Sequence, residues 1–158
     1  MRYIWRRTLL SVVGAALAAG SAIAEPDAAG LAAAVPVEVT EIVSGGSWVE
    51  GTASGSFRTV TIQSYVPAEV AEVWLQWIGS RSPAEPVQII SSVPLREFND
   101  QKLTSASVTL DGETDGTARI MITGQDSDQR AAAALNFLAT KPGLYEPVAS
   151  APAVNVRK

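Results

Sequence analysis

Histidine and cysteine are both absent from the 158-residue chain, which excludes much of hydrolase and metalloenzyme chemistry. Without them no Ser-His-Asp triad, Cys-His pair or histidine-based zinc or copper site can be built. The serine-lysine alternative fails too, because no lysine of the chain follows a serine by three positions. Paired carboxylates, as in glycoside hydrolysis, are the catalytic chemistry that this composition still allows. The carboxylates considered for such a pair are Glu50, Glu72 and Glu97.

One acidic cluster, DGETDG at residues 111–116, has the spacing of the first half of a calcium loop. Oxygen-bearing side chains stand at positions 1, 3 and 5, and glycine stands at position 6. Position 12, which needs a bidentate carboxylate, is Ile122. The cluster therefore predicts a hairpin connection, and we expect no metal and no cofactor.

The stretch SGGSWVEGTASGSF, residues 44–57, is the most site-like part of the chain. It lacks the lysine of a phosphate-binding loop and the spacing of a dinucleotide fingerprint, and Val49 stands where a nucleophile elbow needs its second glycine. Its glycines therefore predict turns or bulges on either side of a short strand around Trp48. The alternative is that Trp48 forms an exposed platform that stacks on a sugar ring or on a partner's apolar side chain.

Residues 66–80 carry two further tryptophans, and their pattern fits either of two elements. A strand would direct Trp77 inward and send Trp74 with Gln76 outward, whereas a helix would place both tryptophans on one stripe. We favour the strand, because a strand-like run of similar length precedes it across a short turn. Trp74 and Ile78 would then form an exposed apolar patch. The candidate binding residues are Trp48, Trp74, Gln76 and Ile78.

The elements that must position these residues read mainly as β-strands. Strand-like runs occupy residues 37–43, 57–66, 87–98, 103–110 and 117–124, with turn-forming residues between them. Pro94 marks its run as an edge or a bulge. Residues 127–139 fit a short helix or another strand, and both alternatives stay open. The pattern predicts a mainly β fold, either a single antiparallel β-sandwich or a small barrel.

The first 24 residues are typical of a signal peptide. Three arginines precede an apolar run at residues 8–20, and Ala22-Ile23-Ala24 supplies the pattern for cleavage before Glu25. The run is shorter than the roughly 20 residues that span a bilayer, so we expect a periplasmic or secreted protein with no membrane insertion after cleavage. Export by the general or by the twin-arginine route stays open. The remainder divides into a flexible segment at 25–36, a β-rich domain at 37–147 and a flexible tail at 148–158.

Removing the leader makes the chain more acidic. It takes away three of the 12 basic residues and none of the 16 acidic ones, which leaves 9 against 16 and a net charge of −7. Such a balance argues against nucleic acid as a partner. The sequence therefore predicts an exported, non-catalytic β-sandwich module that binds an envelope protein or a glycan. The alternative is a small carboxylate-dependent hydrolase that acts on envelope glycans.

Overall fold

The computed structural model describes residues 33–66, 68–128 and 130–149, apart from the side chains of residues 131 and 132. The predicted leader, most of the segment at 25–36 and the end of the tail lie outside the described residues. The chain divides into two units, Met1–Ala34 and Val35–Lys158, and every strand described below belongs to the second.

Within these residues the chain forms two four-stranded antiparallel sheets. Each sheet has its strands in sequence order, so each is a simple meander with two open edges. The fold is therefore an open β-sandwich, as predicted, and it is not a closed barrel. The first sheet contains β1 (Val39–Glu50), β2 (Ala53–Ser64), β3 (Val70–Ser80) and β4 (Gln88–Pro94). The second contains β5 (Ser105–Gly112), β6 (Ala118–Gln125), β7 (Ala131–Ala139) and β8 (Tyr145–Val148).

The short helix of the fold lies elsewhere than the sequence suggested. Residues 131–139 form β7, so the helical alternative for 127–139 is wrong. β7 pairs with β6 on one side and β8 on the other, and this pairing overrides the helix propensity of its alanines. A four-residue helix, α1 (Arg96–Asn99), instead follows β4 within the run predicted as a strand. Pro94 ends β4 on the edge of the sheet, as expected.

The side chain of Asn99 continues the pairing of β3 beyond the end of β4. Its carbonyl oxygen accepts a hydrogen bond from the Val73 N–H at 2.8 Å, and its amide nitrogen donates to the Val73 carbonyl oxygen at 3.2 Å. Asn99 is buried, so these two bonds satisfy backbone groups that water does not reach. α1 therefore closes this corner of the sheet.

Apolar side chains from alternate positions fill the space between the sheets. Phe57 and Trp77 meet edge to face at 6.1 Å between ring centroids. The indole N–H of Trp77 donates to the Thr140 carbonyl oxygen at 3.1 Å, which ties β3 to the turn after β7. Burial of this kind is the main stabilising term in a chain without disulfides. The largest fully buried apolar side chains are Trp48, Phe57, Val73, Leu75, Trp77, Leu95, Phe98, Ile120, Ile122 and Phe137.

The glycine-rich stretch lets the two sheets approach each other closely at β1 and β5. The pairing of β1 with β2 shifts between Gly45 and Trp48, and Gly46 has a φ of +62°. A Cβ on Gly46 would lie 2.8 Å from the Cα of Gly112 in β5, which is closer than real Cβ atoms approach. Glycine is therefore required here both for its backbone angle and for its lack of a side chain.

Replacing Gly46 by alanine should destabilise the fold by about 2–4 kcal/mol. The new methyl group would be strained at a positive φ and would also clash with the backbone of Gly112. Gly51 is the matched control, since it has the same φ of +62° but no heavy atom within 4 Å of an added Cβ. Gly51→Ala should lose only about 1 kcal/mol. Urea denaturation of both variants measures the difference. Equal losses of stability in the two variants would show that Gly46 is not needed for the close approach of the sheets.

The hydroxyl of Tyr145 joins β8 to the end of β4 at the opposite side of the sandwich. It accepts a hydrogen bond from the Arg96 N–H at 3.2 Å and donates to the Glu97 carboxylate at 2.9 Å, with the Pro94 carbonyl oxygen as a second acceptor at 3.2 Å. Burial, reinforced by Glu97, raises the pKa of Tyr145 above its ordinary value of 10.0. The protonated hydroxyl is therefore the form that the fold favours.

Because the pKa of Tyr145 is raised, part of the folding free energy is lost at alkaline pH. Because the folded pKa lies above the unfolded one, the contribution is complete below pH 10.0 and is lost as the pH rises through the folded pKa. Tyr145→Phe should lose stability at neutral pH but show a smaller further loss from about pH 8 to pH 11. Urea denaturation across that range tests this, with Tyr65→Phe at an exposed tyrosine as the control. Equal alkaline losses in wild type and Tyr145→Phe would exclude the linkage.

Candidate binding site on the outer face of the first sheet

An apolar row crosses the outer face of the first sheet from edge to edge. Ile42 of β1 pairs with Val60 of β2, Val60 pairs with Trp74 of β3, and Trp74 pairs with Pro94 of β4. These four residues are called the tryptophan row below. Each points away from the core because its strand neighbours on either side face inward. Ile42 is exposed at one end of the row, Trp74 and Pro94 are partly buried, and Val60 is buried.

A polar row lies next to the tryptophan row. Ser44, Arg58, Gln76 and Ser92 are paired across the same four strands. The Arg58 guanidinium donates to the Gln76 side-chain oxygen from Nε at 2.8 Å and from a terminal nitrogen at 2.6 Å. The Gln76 amide nitrogen then donates to the Ser92 hydroxyl at 3.3 Å. Three side chains thus hold one another in place beside Trp74.

Beyond the polar row the face becomes apolar again. Ile78 pairs with Ile89, which is 51% exposed, and Ile42 in the tryptophan row is 48% exposed. Val60 is only 9% exposed although it faces outward. The face therefore presents two apolar strips separated by one internally bonded polar strip.

The outer face of the second sheet differs in character. One row there runs Asp111, Arg119, Leu138 and Glu146, and another contains Thr109 and Met121, which is 46% exposed. Charged and polar residues interrupt each row, as is typical of a solvated sheet face. The unusual face is that of the first sheet.

The indole of Trp74 lies against the sheet with its N–H edge turned away from solvent. Its nitrogen is buried and has no hydrogen-bond partner among the described residues. No group of the polar strip accepts a hydrogen bond from this nitrogen. Leaving a buried N–H unpaired in this way costs about 1–3 kcal/mol. What the ring offers at the surface is apolar.

Three of the four predicted binding residues share this face. Trp74, Gln76 and Ile78 occupy alternate outward positions of β3, which confirms the strand that the sequence favoured. Trp48 is different, because it is 1% exposed and its indole N–H donates to the Ser56 carbonyl oxygen at 3.1 Å. The exposed platform suggested for Trp48 is therefore corrected: the residue belongs to the core.

Sequence reasoning missed the residues that the other strands contribute to the face. Ile42, Val60 and Pro94 lie 32, 14 and 20 positions from Trp74 in the chain, and only the pairing of β1 to β4 brings them into one row. The sequence of β2 alternates Val60 and Ile62 with Thr59, Thr61 and Gln63. Which of its two faces turned outward was not visible in that alternation.

Glu50 and Glu72 do not form the carboxylate pair that hydrolysis requires. Glu50 pairs with Ala53 and Glu72 pairs with Ile62, so nine residues of β2, or about 30 Å, separate them along the sheet. Retaining and inverting glycosidases need separations of about 5–10 Å. Glu97 accepts the hydrogen bond from Tyr145 described above.

Asp115 and Glu113 of the acidic turn at residues 111–116 find their bonding partners close by in the chain. Asp115 accepts hydrogen bonds from the Thr117 hydroxyl and N–H at 2.6 and 3.1 Å, and these bonds lower the pKa of Asp115. Glu113 pairs with Arg119 at 3.4 Å. Among the residues that the structure describes, no three acidic side chains come together as a group that could hold a metal ion. The segment is the hairpin connection that was expected.

A cleft of about 370 Å³ lies at the end of the sandwich where β3 and β5 begin. Its lining includes Glu69, Thr104, Gln125 and Ser127, and none of the predicted binding residues. With a single carboxylate it offers no acid-base pair. The outer face of the first sheet therefore remains the best candidate site.

None of the comparisons with known protein families, curated proteins and solved structures finds a match to this chain. No helix in the described part of the chain has the length and apolar character needed to span a membrane. The candidate site therefore rests on the geometry of this chain alone.

Replacing Trp74 or Trp77 by alanine should have different effects on stability, because Trp74 lies on the outer face and Trp77 lies in the core. Trp77→Ala opens the core and breaks the bond to Thr140, so it should cost about 3–5 kcal/mol of unfolding free energy. Trp74→Ala removes a partly buried ring with an unpaired N–H and should cost about 1–2 kcal/mol. Urea denaturation compares the two. A loss at Trp74 as large as that at Trp77 would show that the outer indole is structural.

Proposed function

We propose that this chain is an exported, non-catalytic β-sandwich module that binds another protein of the cell envelope through the outer face of its first sheet. The observation that carries the proposal is the tryptophan row, which crosses all four strands on the outward side of the sheet. Ile42 at one end of the row is 48% exposed and Ile89 of the second strip is 51% exposed, and apolar side chains grouped on an outward sheet face are typical of an interaction surface.

A protein surface suits this face better than a glycan does. Sugar rings stack on aromatic faces, but Trp74 is the one aromatic side chain of the two strips, and its N–H edge is turned inward. The remaining apolar members, Ile42, Val60, Ile78 and Ile89, are aliphatic. Aliphatic side chains are complementary to the apolar core of a protein interface.

The polar strip is compatible with burial by such a partner. The hydrogen bonds from Arg58 to Gln76 and from Gln76 to Ser92 already satisfy several of its groups. The charge of Arg58 is not neutralised, since the ion pairs found among the described residues involve only Arg119 and Arg130 as cations. A partner that covers the strip should therefore place a carboxylate opposite Arg58.

The separation of Glu50 from Glu72 supports a binding role over the hydrolase alternative. The predicted leader supports export, and detection of a mature chain that begins at Glu25 would test that part.

A photo-crosslinking residue placed at Ile42 should capture a protein in the native cell, because this side chain lies on the exposed end of the tryptophan row. The same residue at Met121, an equally exposed position on the second sheet, should capture nothing above background. Mass spectrometry identifies the adduct. Capture of glycan at position 42 would replace the protein partner with the other predicted class, and equal labelling at both positions would refute the face as a site.

A further inference from the structure

The cleft of about 370 Å³ at the end of the sandwich where β3 and β5 begin carries an uncompensated negative charge. Glu69 is the charged residue of its lining, and Asp126 and Asp128 stand on either side of Ser127, another lining residue. Arg130 pairs with Asp128 at 3.6 Å, whereas no cation among the described residues pairs with Glu69 or Asp126. Hydroxyl and amide oxygens that can accept hydrogen bonds from a cation are supplied by Thr104, Ser105 and Gln125.

The chain that follows β8 is directed toward this same end of the sandwich. β8 runs antiparallel to β7, and Val148 lies opposite Asn136. β7 begins at Ala131, which lies opposite Gln125 of the cleft lining. About five further residues in the direction of β8 therefore bring the chain level with the cleft.

The C-terminal segment, residues 150–158, lies outside the described part of the chain and is long enough to reach the cleft. Its run VNVR at 154–157 alternates apolar and polar residues, which favours an extended conformation. From Val148 the cleft lies about 17 Å further along β7 and about 10 Å across two strands, which is about 20 Å in a straight line. Arg157 follows Val148 by nine positions, and an extended chain of that length spans about 30 Å.

We propose that the C-terminal segment binds in the cleft of its own chain, with the cationic side chains of Arg157 and Lys158 against Glu69. These two residues are the only basic ones after Lys141, and both stand at the far end of the segment. An exposed ion pair is weak by itself. The tether compensates for this weakness, because it holds the basic end near the cleft at an effective concentration on the order of millimolar. The cleft is therefore a site for a cationic chain end, which the protein itself supplies.

The inference does not rest on the proposed function, because it concerns another surface. None of the residues that line the cleft belongs to the tryptophan row or to the polar row beside it. The crosslink at position 42 therefore tests the proposed function, and the experiment below tests the cleft.

Nuclear magnetic resonance of the chain without its leader, with a spin label at Asn155→Cys, measures the contact. The chain has no other cysteine, so the label is attached at this position alone. It should broaden the backbone amide signals of Thr104 and Gln125 at the cleft and leave Gly51 sharp, since the turn between β1 and β2 lies at the other end of the first sheet. Replacing both Arg157 and Lys158 by glutamine keeps the length of the segment and removes its charge. The broadening at the cleft should then fall at least twofold.

Glu69→Gln should reduce the broadening as much as the loss of the two cations does, because it removes the opposite charge of the same contact. Glu50→Gln is the matched control, since it neutralises another exposed carboxylate that does not line the cleft. This variant should leave the broadening unchanged. Sodium chloride at 0.5 M should also release the segment, because the screening length then falls to about 4 Å.

Two results would overturn the inference. Equal broadening with and without the two cations would show that the segment passes the cleft without binding there. Broadening that increases with protein concentration would show that the C-terminal segment of a second copy occupies the cleft. Broadening that is independent of concentration and sensitive to both Glu69→Gln and the loss of the cations supports the contact within one chain.

Discussion

The alternation of β3 is the constraint on which the rest of the structure depends. Val73, Leu75 and Trp77 point into the space between the sheets and are fully buried, so Trp74 and Gln76 must point the other way. A slip of one residue in the register would bring Trp74 and Gln76 inside and expose Trp77. The core therefore determines the outer face.

The two sheets are joined by different means at their two sides. At β1 and β5 the backbones approach so closely that Gly46 and Gly112 leave no room for side chains. At β4 and β8 the hydroxyl of Tyr145 supplies polar contacts to the chain around Pro94. The contact between Gly46 and Gly112 involves no residue of the tryptophan row, whereas the bond from Tyr145 reaches the backbone of Pro94, which belongs to that row.

Much of the fold was predictable because strand periodicity is a local signal. The inward positions of β5 and β6, including Val108, Ile120 and Ile122, followed from alternation alone. The failures occurred where local and long-range preferences differ. The alanines of β7 favour a helix in isolation, and pairing with two neighbouring strands overrides them. α1 was missed because four residues are too few to show a helical period.

The sequence by itself determined the absence of histidine and cysteine chemistry and indicated the β character of the domain, because composition and period two are properties of the chain alone. It favoured opposite directions for Trp74 and Trp77, and the pairing of β3 with β2 and β4 decided them. Only the tertiary structure decided which tryptophan is buried beside the glycine-rich bulge and which residues stand beside Trp74 on the surface. Those outcomes depend on register between strands that are distant in sequence, and hydrogen bonds across the sheet set that register.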